Sequence, residues 1–181
     1  MITVAGPTSR SSPTVSAPGA PAPALSCRAV RAGWEREAHF RIRHQVFVRE
    51  QRLFLPPGGG RGGDRDRHDD DPATIHVIGL AGAEVCGTVR LYPLSAAGLW
   101  QGDRLAVLPE SRRLGLGAPL VRFAVATAAP RGGTRMEAYI QPGNVPFFEW
   151  LGWQRAGALA PYAGIPHQRM VIDLTAVPPG W

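Results

Sequence analysis

The sequence contains no lysine: all 20 basic residues are arginines, and with 14 acidic residues they give a formal net charge of +6. A basic chain of this kind, with a pI near 10.6, is compatible with nucleic-acid binding. The arginines are scattered, however, and aromatic residues do not alternate with them as they do in nucleic-acid grooves. We therefore expect small anionic ligands and no nucleic-acid partner.

Cysteine is almost absent as well. Cys27 and Cys86 are too few and too far apart to form a disulfide framework or a zinc site. We expect two reduced thiols, which are typical of a cytoplasmic protein. Asp69–Asp71 and His68 do not have a recognised ligand spacing, so we expect no metal.

Long apolar runs are missing too, since no stretch approaches the ~20 residues of a membrane span. The N-terminus also lacks the apolar region of a signal peptide. Residues 1–26 consist mainly of Pro, Ala, Ser and Thr, which predicts a disordered tail. Its five prolines argue against the amphipathic helix of a transit peptide. We expect one domain over residues 27–175 and a C-terminal tail over 176–181.

Hydrophobic periodicity predicts an alternation of strands and helices. A strand at Cys27–Val30 precedes a helix over residues 34–50, and the Gly- and charge-rich segment after it is predicted to be a loop near a site. Two strands follow, joined by a turn at Gly82. The remaining predictions, in chain order, are a strand at 104–108, a helix at 116–128, a strand at 135–140, a helix at 145–151 and a strand at "RMVIDL". This order predicts an α/β fold with a mixed sheet and crossover helices.

The stretch "LAVLPESRRLGLGAPL" leaves an apolar strand and enters an apolar helix through Arg112-x-x-Gly115-x-Gly117. Successive backbone N–H groups at a helix start form a concave site with positive potential, and glycines let a phosphate approach it closely. A GxG sequence alone is most often a plain turn. Between a strand and a helix, with arginines beside it, this one predicts a site for a phosphate-bearing cofactor.

This stretch resembles the R/Q-x-x-G-x-G/A signature of the GNAT N-acetyltransferase superfamily. "RIRHQVFVREQ", "DDDPATIHVIG" and "EVCGTVRLYPL" resemble earlier segments of GNAT members, and "QPGNVPFFEWLGW" and "GIPHQRMVIDL" resemble a bacterial subgroup named nitrogen-starvation N-acetyltransferases. The resemblance runs from about residue 28 to residue 174. It implies the GNAT (acyl-CoA N-acyltransferase) fold, with a mixed, mostly antiparallel central sheet flanked by helices, and acetyl-CoA as cosubstrate.

The resemblance also implies cofactor-binding residues. The strand end would lie beside the pantetheine arm of acetyl-CoA, and the Val107 N–H would bind the thioester carbonyl, an interaction worth about 3 kcal/mol as that oxygen gains charge. Arg112 fills the first motif position, and Asn144 matches an asparagine that contacts the cofactor in many relatives. The residues implied for the strand end and for the diphosphate cradle are Leu105, Ala106 and Val107, and Arg113, Leu114, Gly115, Leu116, Gly117 and Ala118.

Amine acetylation requires a neutral amine and a proton donor for the departing thiolate. In many GNAT members that donor is a tyrosine on the last helix, but this sequence has Phe148 there. Glu137 and Tyr139 share one face of a strand that lines the acceptor site in relatives, and each is either a participant in proton transfer or a packing residue. His167 is either a base, for which its pKa range is suitable, or a hydrogen-bonded loop histidine.

Other polar residues admit two interpretations. Glu50 either binds the acceptor ammonium or is a solvated helix-end residue. Asp69–Asp71 form a solvated loop or a gate for a cationic acceptor, whereas His76 is expected to be structural. A further set of aromatic residues is expected to pack the last helix on the sheet, with one or two reaching the cleft: Phe147, Phe148, Trp150 and Trp153.

These features together predict direct transfer of an acetyl group from acetyl-CoA to a primary amine of a small metabolite, in a ternary complex. A covalent acyl-enzyme is disfavoured because both cysteines lie outside the motifs. The subgroup name favours an acceptor from nitrogen metabolism. Two alternatives stay open: an acyltransferase like the acyl-homoserine-lactone synthases, which share the fold, and a non-catalytic acetyl-CoA-binding sensor. The fold often forms homodimers, but the sequence does not show an interface.

Overall fold

The structure is a computed structural model that describes residues 22–55, 62–162 and 164–176. Residues 1–21 and 177–181 lie outside the described residues, and most of the predicted tails fall there. The first strand begins at Leu25, two residues inside the stretch expected to be the N-terminal tail. The strands are β1 Leu25–Ala29, β2 Ile75–Ala81, β3 Glu84–Pro93, β4 Leu99–Val107, β5 Arg135–Ile140, β6 Gln154–Arg155, β7 Ala160–Tyr162 and β8 Ile165–Asp173.

Three α-helices accompany the strands: α1 Gly33–Arg43, α2 Gly117–Ala128 and α3 Val145–Trp150. Short 3-10 segments lie at Arg67–Asp70, Pro109–Leu114, Ala129–Arg131 and Pro142–Asn144. Helix α2 has apolar residues three and four apart, which gives it one face to bury. Gly132, with φ of 82°, ends the 3-10 turn that follows α2. In the described part of the chain, no helix has the length and apolarity needed to cross a membrane.

The strands form a sheet in the order β1-β2-β3-β4-β5-β8-β6, and β7 pairs with β8. All pairings are antiparallel except that of β4 with β5. Helix α2 connects β4 to β5, because a parallel pair requires a crossover. The predicted mixed, mostly antiparallel sheet flanked by helices is confirmed.

The two faces of the sheet differ in chemistry. Helix α2 covers an apolar core that includes Leu105, Val107, Met136, Ala138 and Ile140. The opposite face, which we call the α1 face, has a smaller apolar cluster around Ala106 and carries charged and aromatic side chains beside it. Since strand side chains alternate, each strand contributes to both environments.

Three elements differ most from their predicted bounds. The predicted helix over residues 34–50 is an α-helix only to Arg43 and is π-helical over His44–Glu50, a distortion common at functional sites. Strand β4 begins at Leu99 and not at Arg104. The prediction missed its first residues because a glycine and charged residues interrupt the alternation of apolar and polar side chains. Strand β8 begins at Ile165, so His167 lies within the last strand and not in a loop before it.

Candidate active site

A gap opens between β4 and β5. These parallel strands pair only through Leu99–Gln101 and Arg135–Glu137, although β4 continues to Val107 and β5 to Ile140, all within the described residues. Strand β5 meanwhile stays paired with β8 as far as Ile140. At the closed end, Gln101 Nε2 donates to the carbonyl of Glu137 at 3.1 Å. The gap therefore widens from Gln101 towards the end of β4.

The Val107 peptide groups face this gap. Val107 lies opposite Gly87 of β3, but the adjacent Leu108 N–H donates to the Cys86 carbonyl at 2.9 Å. In an antiparallel ladder this pattern makes Val107 and Gly87 a non-hydrogen-bonded pair, so the N–H and C=O of Val107 point away from β3. Arg112 Nε donates to the Val107 carbonyl at 3.2 Å, which leaves the N–H directed into the gap.

A β-bulge bends β4 just before this point. The register against β3 shifts between Thr88 and Arg90, and Arg104 adopts a left-handed conformation with φ of 53°. Such a conformation costs a non-glycine residue of order 1–3 kcal/mol and persists where its surroundings hold it. Arg104 is only 2% exposed and donates to the Asp66 carboxylate at 2.8 Å and to the Asp64 carbonyl at 3.2 Å. These contacts fix the bulge and the strand end beyond it.

The glycine loop lies at the open end of the gap. The 3-10 segment Pro109–Leu114 ends at Gly115, whose φ of 79° is left-handed, and α2 begins at Gly117. Arg113, Leu114 and Gly115 are exposed, and Ala118 is half-buried in the first turn of α2. The first N–H groups of a helix have no intrahelical partner, so this end of α2 is suited to hold a phosphate.

The loop is seated on the sheet by Leu116, which is fully buried. A Cβ at Gly79 or Gly87 would lie 2.9 Å from Leu116 Cδ2, so only glycine permits this approach. The position of the loop thus depends on two glycines of β2 and β3, which the sequence pattern does not mark as site residues.

Two of the predicted site residues, Glu50 and Asn144, lie at the edges of the gap. The Glu50 carboxylate accepts from Arg112 Nη2 at 2.5 Å, so the end of the π-helical segment is tied to the glycine loop. Gln141 Nε2 donates to Gln51 Oε1 at 3.3 Å, which ties the same segment to the end of β5. Asn144 is buried at the start of α3, near the end of β5.

The predicted acceptor residues lie together on the α1 face. Glu137 Oε2 accepts from Arg169 Nε at 2.9 Å, which pairs a buried carboxylate with a partly exposed guanidinium. Tyr139 lies opposite Arg169 in the β5–β8 register, and its ring stacks on Tyr162 at a centroid distance of 6.1 Å. His167 is two residues before Arg169 on β8 and shares this face.

His167 is fully buried, and its two ring nitrogens differ in their surroundings. Its Nδ1 lies 2.9 Å from the Ile165 carbonyl, which requires that Nδ1 carry the proton. Nε2 is then an acceptor, and among the described residues it has no hydrogen-bond partner. Burial lowers the pKa of His167 from its usual 6.5, so the ring is neutral at pH 7. A neutral imidazole with an uncommitted lone pair is able to accept a proton.

Phe148 and Trp153 are 0% and 3% exposed, and their rings meet edge to face at 5.5 Å in the core. Trp150 is 68% exposed, with the Arg122 guanidinium over its ring. Phe148 and Trp153 therefore pack the last helix on the sheet as predicted, whereas Trp150 does not, because its ring lies in solvent.

A buried ion-pair network on the α1 face is absent from the sequence predictions. Asp69 was expected either to be solvated or to gate a cationic acceptor, but it is 1% exposed and its carboxylate accepts from Arg43 and Arg90. The alternating charges of "DRDRHDD" are the only local signal for it. The network joins the loop after α1 to β3 and β4, and its members are Arg43, Asp64, Asp66, Asp69, Arg90, Asp103 and Arg104.

Comparison with known proteins gives a family and a set of similar folds. The sequence profile described as "Acetyltransferase (GNAT) family" matches residues 36–153. An isovaleryl-homoserine lactone synthase from Bradyrhizobium diazoefficiens is 40% identical over 60 residues, which is 32% of this chain and 25% of that protein. The chain thus matches a quarter of the length of this curated relative.

Solved structures with similar folds include three proteins under 25% identical. FeeM, an N-acyl amino acid synthase from uncultured soil microbes, has a TM-score of 0.70 at 16% identity, over 85% of this chain and 93% of its own. Escherichia coli ElaA has a TM-score of 0.70 at 18% identity, over 83% and 100%. BjaI, a CoA-dependent acyl-homoserine lactone synthase, has a TM-score of 0.66 at 23% identity, over 83% and 84%.

The family match covers more than half of the chain, and the solved structures share its overall fold. The chain belongs to the acetyltransferase (GNAT) family and is an acyltransferase.

Proposed function

We propose that the protein transfers an acetyl group from acetyl-CoA directly to a primary amine of a small metabolite. The observation that carries this proposal is the gap between β4 and β5, which has the Val107 N–H directed into it and the glycine loop at its open end. A thioester with a diphosphate at its far end is the donor that matches a hydrogen-bond donor in a cleft and a phosphate cradle at its mouth.

On the donor side, residues 113–118 hold the diphosphate through backbone N–H groups, and Asn144 contacts the donor from the start of α3. The strand end at Leu105–Val107 lies beside the pantetheine arm. The Val107 N–H donates to the thioester carbonyl, whose oxygen gains negative charge as the amine attacks. Arg112 supports this geometry, because it holds the carbonyl of the same residue at 3.2 Å. One fixed donor of this kind lowers the activation free energy by about 3 kcal/mol.

On the acceptor side, His167 Nε2 takes the proton that the amine must lose, since it is an acceptor on this face that has no hydrogen-bond partner among the described residues. Glu137, which is paired with Arg169, carries the negative charge that attracts the cationic form of the amine to the α1 face. Tyr139 lines the same face. Glu50 acts through Arg112 and not as a base, because its carboxylate is already paired.

A second candidate function is transfer of a longer acyl chain to an amino-acid derivative, as in the acyl-homoserine lactone synthases. The 40% identity over 60 residues to an isovaleryl-homoserine lactone synthase favours it. The intact glycine loop favours CoA over a carrier protein as the donor in either case.

Cys27 and Cys86 are free thiols in the described structure, which is compatible with the reducing cytoplasm.

The test is release of CoA thiol from acetyl-, isovaleryl- and octanoyl-CoA, each with a panel of polyamines, amino acids and homoserine lactone. The proposal predicts amine-dependent release that is fastest with acetyl-CoA, and mass spectrometry should show the N-acetyl product. Faster turnover of isovaleryl- or octanoyl-CoA with homoserine lactone would support the second candidate. Tight acetyl-CoA binding without turnover of any pair would instead indicate a sensor.

A further inference from the structure

Tyr162, at the end of β7, lies across the gap on the α1 face. Its hydroxyl is 3.5 Å from Arg104 Nη1 at the bulge of β4, and its ring stacks on Tyr139 of β5 with an interplanar angle of 14°. Its ring also meets His167 of β8 edge to face at 5.5 Å. One side chain therefore contacts both strands that border the gap and the histidine beside them. It also packs against the apolar cluster around Ala106.

The reaction needs a proton donor that the last helix does not supply. Phe148 has no hydroxyl and is fully buried in the core, so the usual route for protonating the thiolate is closed. The two tyrosines on the α1 face differ in their surroundings. Tyr162 has the buried Arg104 guanidinium at 3.5 Å from its hydroxyl, whereas the guanidinium that interacts with Tyr139 is the partly exposed one of Arg169, which is hydrogen-bonded to Glu137. A guanidinium stabilises the negative charge that a phenol oxygen gains as its proton leaves.

We propose that Tyr162 is the general acid of the acyl transfer, an inference that rests on the proposed function. The amine nitrogen forms a bond to the thioester carbon while the carbon–sulfur bond breaks, and its electron pair goes to sulfur. The Tyr162 hydroxyl proton moves to that sulfur and gives the free thiol of CoA. The proton that the amine loses to His167 then returns to the Tyr162 oxygen, so the enzyme ends in its starting state. The edge contact of the two rings supports this return.

The test compares two donors: acetyl-CoA, whose alkyl thiolate needs a proton, and the acetyl ester of 4-nitrothiophenol, whose acidic thiol leaves unaided. With Tyr162→Phe we expect kcat for acetyl-CoA to fall about 10²–10⁴-fold, the range of general acid catalysis. We expect the KM for acetyl-CoA and the rate with the aryl thioester to change less than ~3-fold, because binding and attack do not need the acid. Tyr92→Phe is the matched control, since it removes the hydroxyl of a tyrosine on β3 whose ring stacks on His68 and not on a strand that borders the gap, and it should leave both rates unchanged.

Three results would overturn the proposal: full activity of Tyr162→Phe with acetyl-CoA, an equal loss with both donors, or the donor-selective loss in Tyr139→Phe instead. A wild-type protein that turns over neither donor would refute the proposed function itself, which separates the two failures. If Tyr162→Phe folds poorly, the acid role is tested by a measurement on the wild type alone. Its solvent deuterium isotope effect on kcat should be larger with acetyl-CoA than with the aryl thioester, and equal effects would contradict the acid role.

Discussion

Replacing Gly87 of β3 by alanine should displace the glycine loop, because Leu116 of that loop packs directly on Gly87. The new Cβ would lie 2.8 Å from Leu120 Cδ1, 2.9 Å from Leu116 Cδ2 and 3.3 Å from the Ala106 carbonyl oxygen. Both leucines are fully buried, so neither has free space into which it can move. Leu116 must shift, and with it the start of α2.

Overpacking of this kind typically costs 1–3 kcal/mol, so we expect the free energy of unfolding to fall by about 2 kcal/mol. Urea unfolding measures this change. Since the loop moves with Leu116, affinity for acetyl-CoA should fall by roughly tenfold, or about 1.4 kcal/mol, in isothermal titration. Gly63→Ala is the control, because a Cβ there meets nothing within 4 Å. It should change stability by less than ~0.5 kcal/mol.

Shortening Leu120 should relieve the clash. Leu120→Ala alone should cost about 2–5 kcal/mol through the cavity it leaves. In the Gly87→Ala background it should cost at least ~1 kcal/mol less, because the new methyl group occupies part of that space. Unchanged stability and affinity in Gly87→Ala, or strict additivity in the double variant, would refute the argument that these glycines seat the loop.

Three further predictions concern the core and the charged face. Asp69→Asn should lower the free energy of unfolding in urea by about 1.5–3 kcal/mol, because it weakens the charge-assisted hydrogen bonds that Arg43 and Arg90 donate to this buried carboxylate while both arginines keep their other carboxylate partners; a loss below ~1 kcal/mol would contradict this. Burial places the pKa of His39 well below its usual 6.5, so stability should be complete above pH 6.5 and fall by up to about 1.4 kcal/mol per pH unit below it. In thermal melts His39→Gln should lose less over that interval, and an equal loss would contradict the assignment. Phe148→Tyr should destabilise the protein by about 1–3 kcal/mol and give no gain in kcat, since the hydroxyl would be buried in the core; a faster enzyme would be the opposite result.

Local sequence signals were sufficient for most of the sheet. Strand β5 has the predicted bounds, Arg135–Ile140, because its apolar and polar residues alternate without interruption. The position of Arg112-x-x-Gly115-x-Gly117 between a strand and a helix was sufficient to predict the glycine loop. Gly115 has a φ of 79°, a left-handed conformation that favours glycine. Strand β4 was harder, because Gly102 and the bulge at Arg104 break its alternation.

The acceptor side could be predicted only in part. Glu137 and Tyr139 were correctly placed on one face, because alternation on a single strand fixes that. Tyr162 was missed, since it reaches the gap through the pairing of β7 with β8, and no local pattern encodes that contact. The burial of Asp69 was missed for the same reason: its partners Arg43 and Arg90 are far away in sequence.

The most direct test of the account is isothermal titration of acetyl-CoA into the wild type, Gly115→Asp and Gly115→Asn. The two variants share size and backbone strain at φ of 79°, and a Cβ there meets nothing within 4 Å, so they differ only in charge. If the loop holds the diphosphate, the wild type binds, and Gly115→Asp binds at least ~10-fold more weakly than Gly115→Asn, with the difference shrinking as salt is added. A wild type that does not bind acetyl-CoA, or equal affinities for the two variants, would contradict the central claim that this loop is the acyl-donor site.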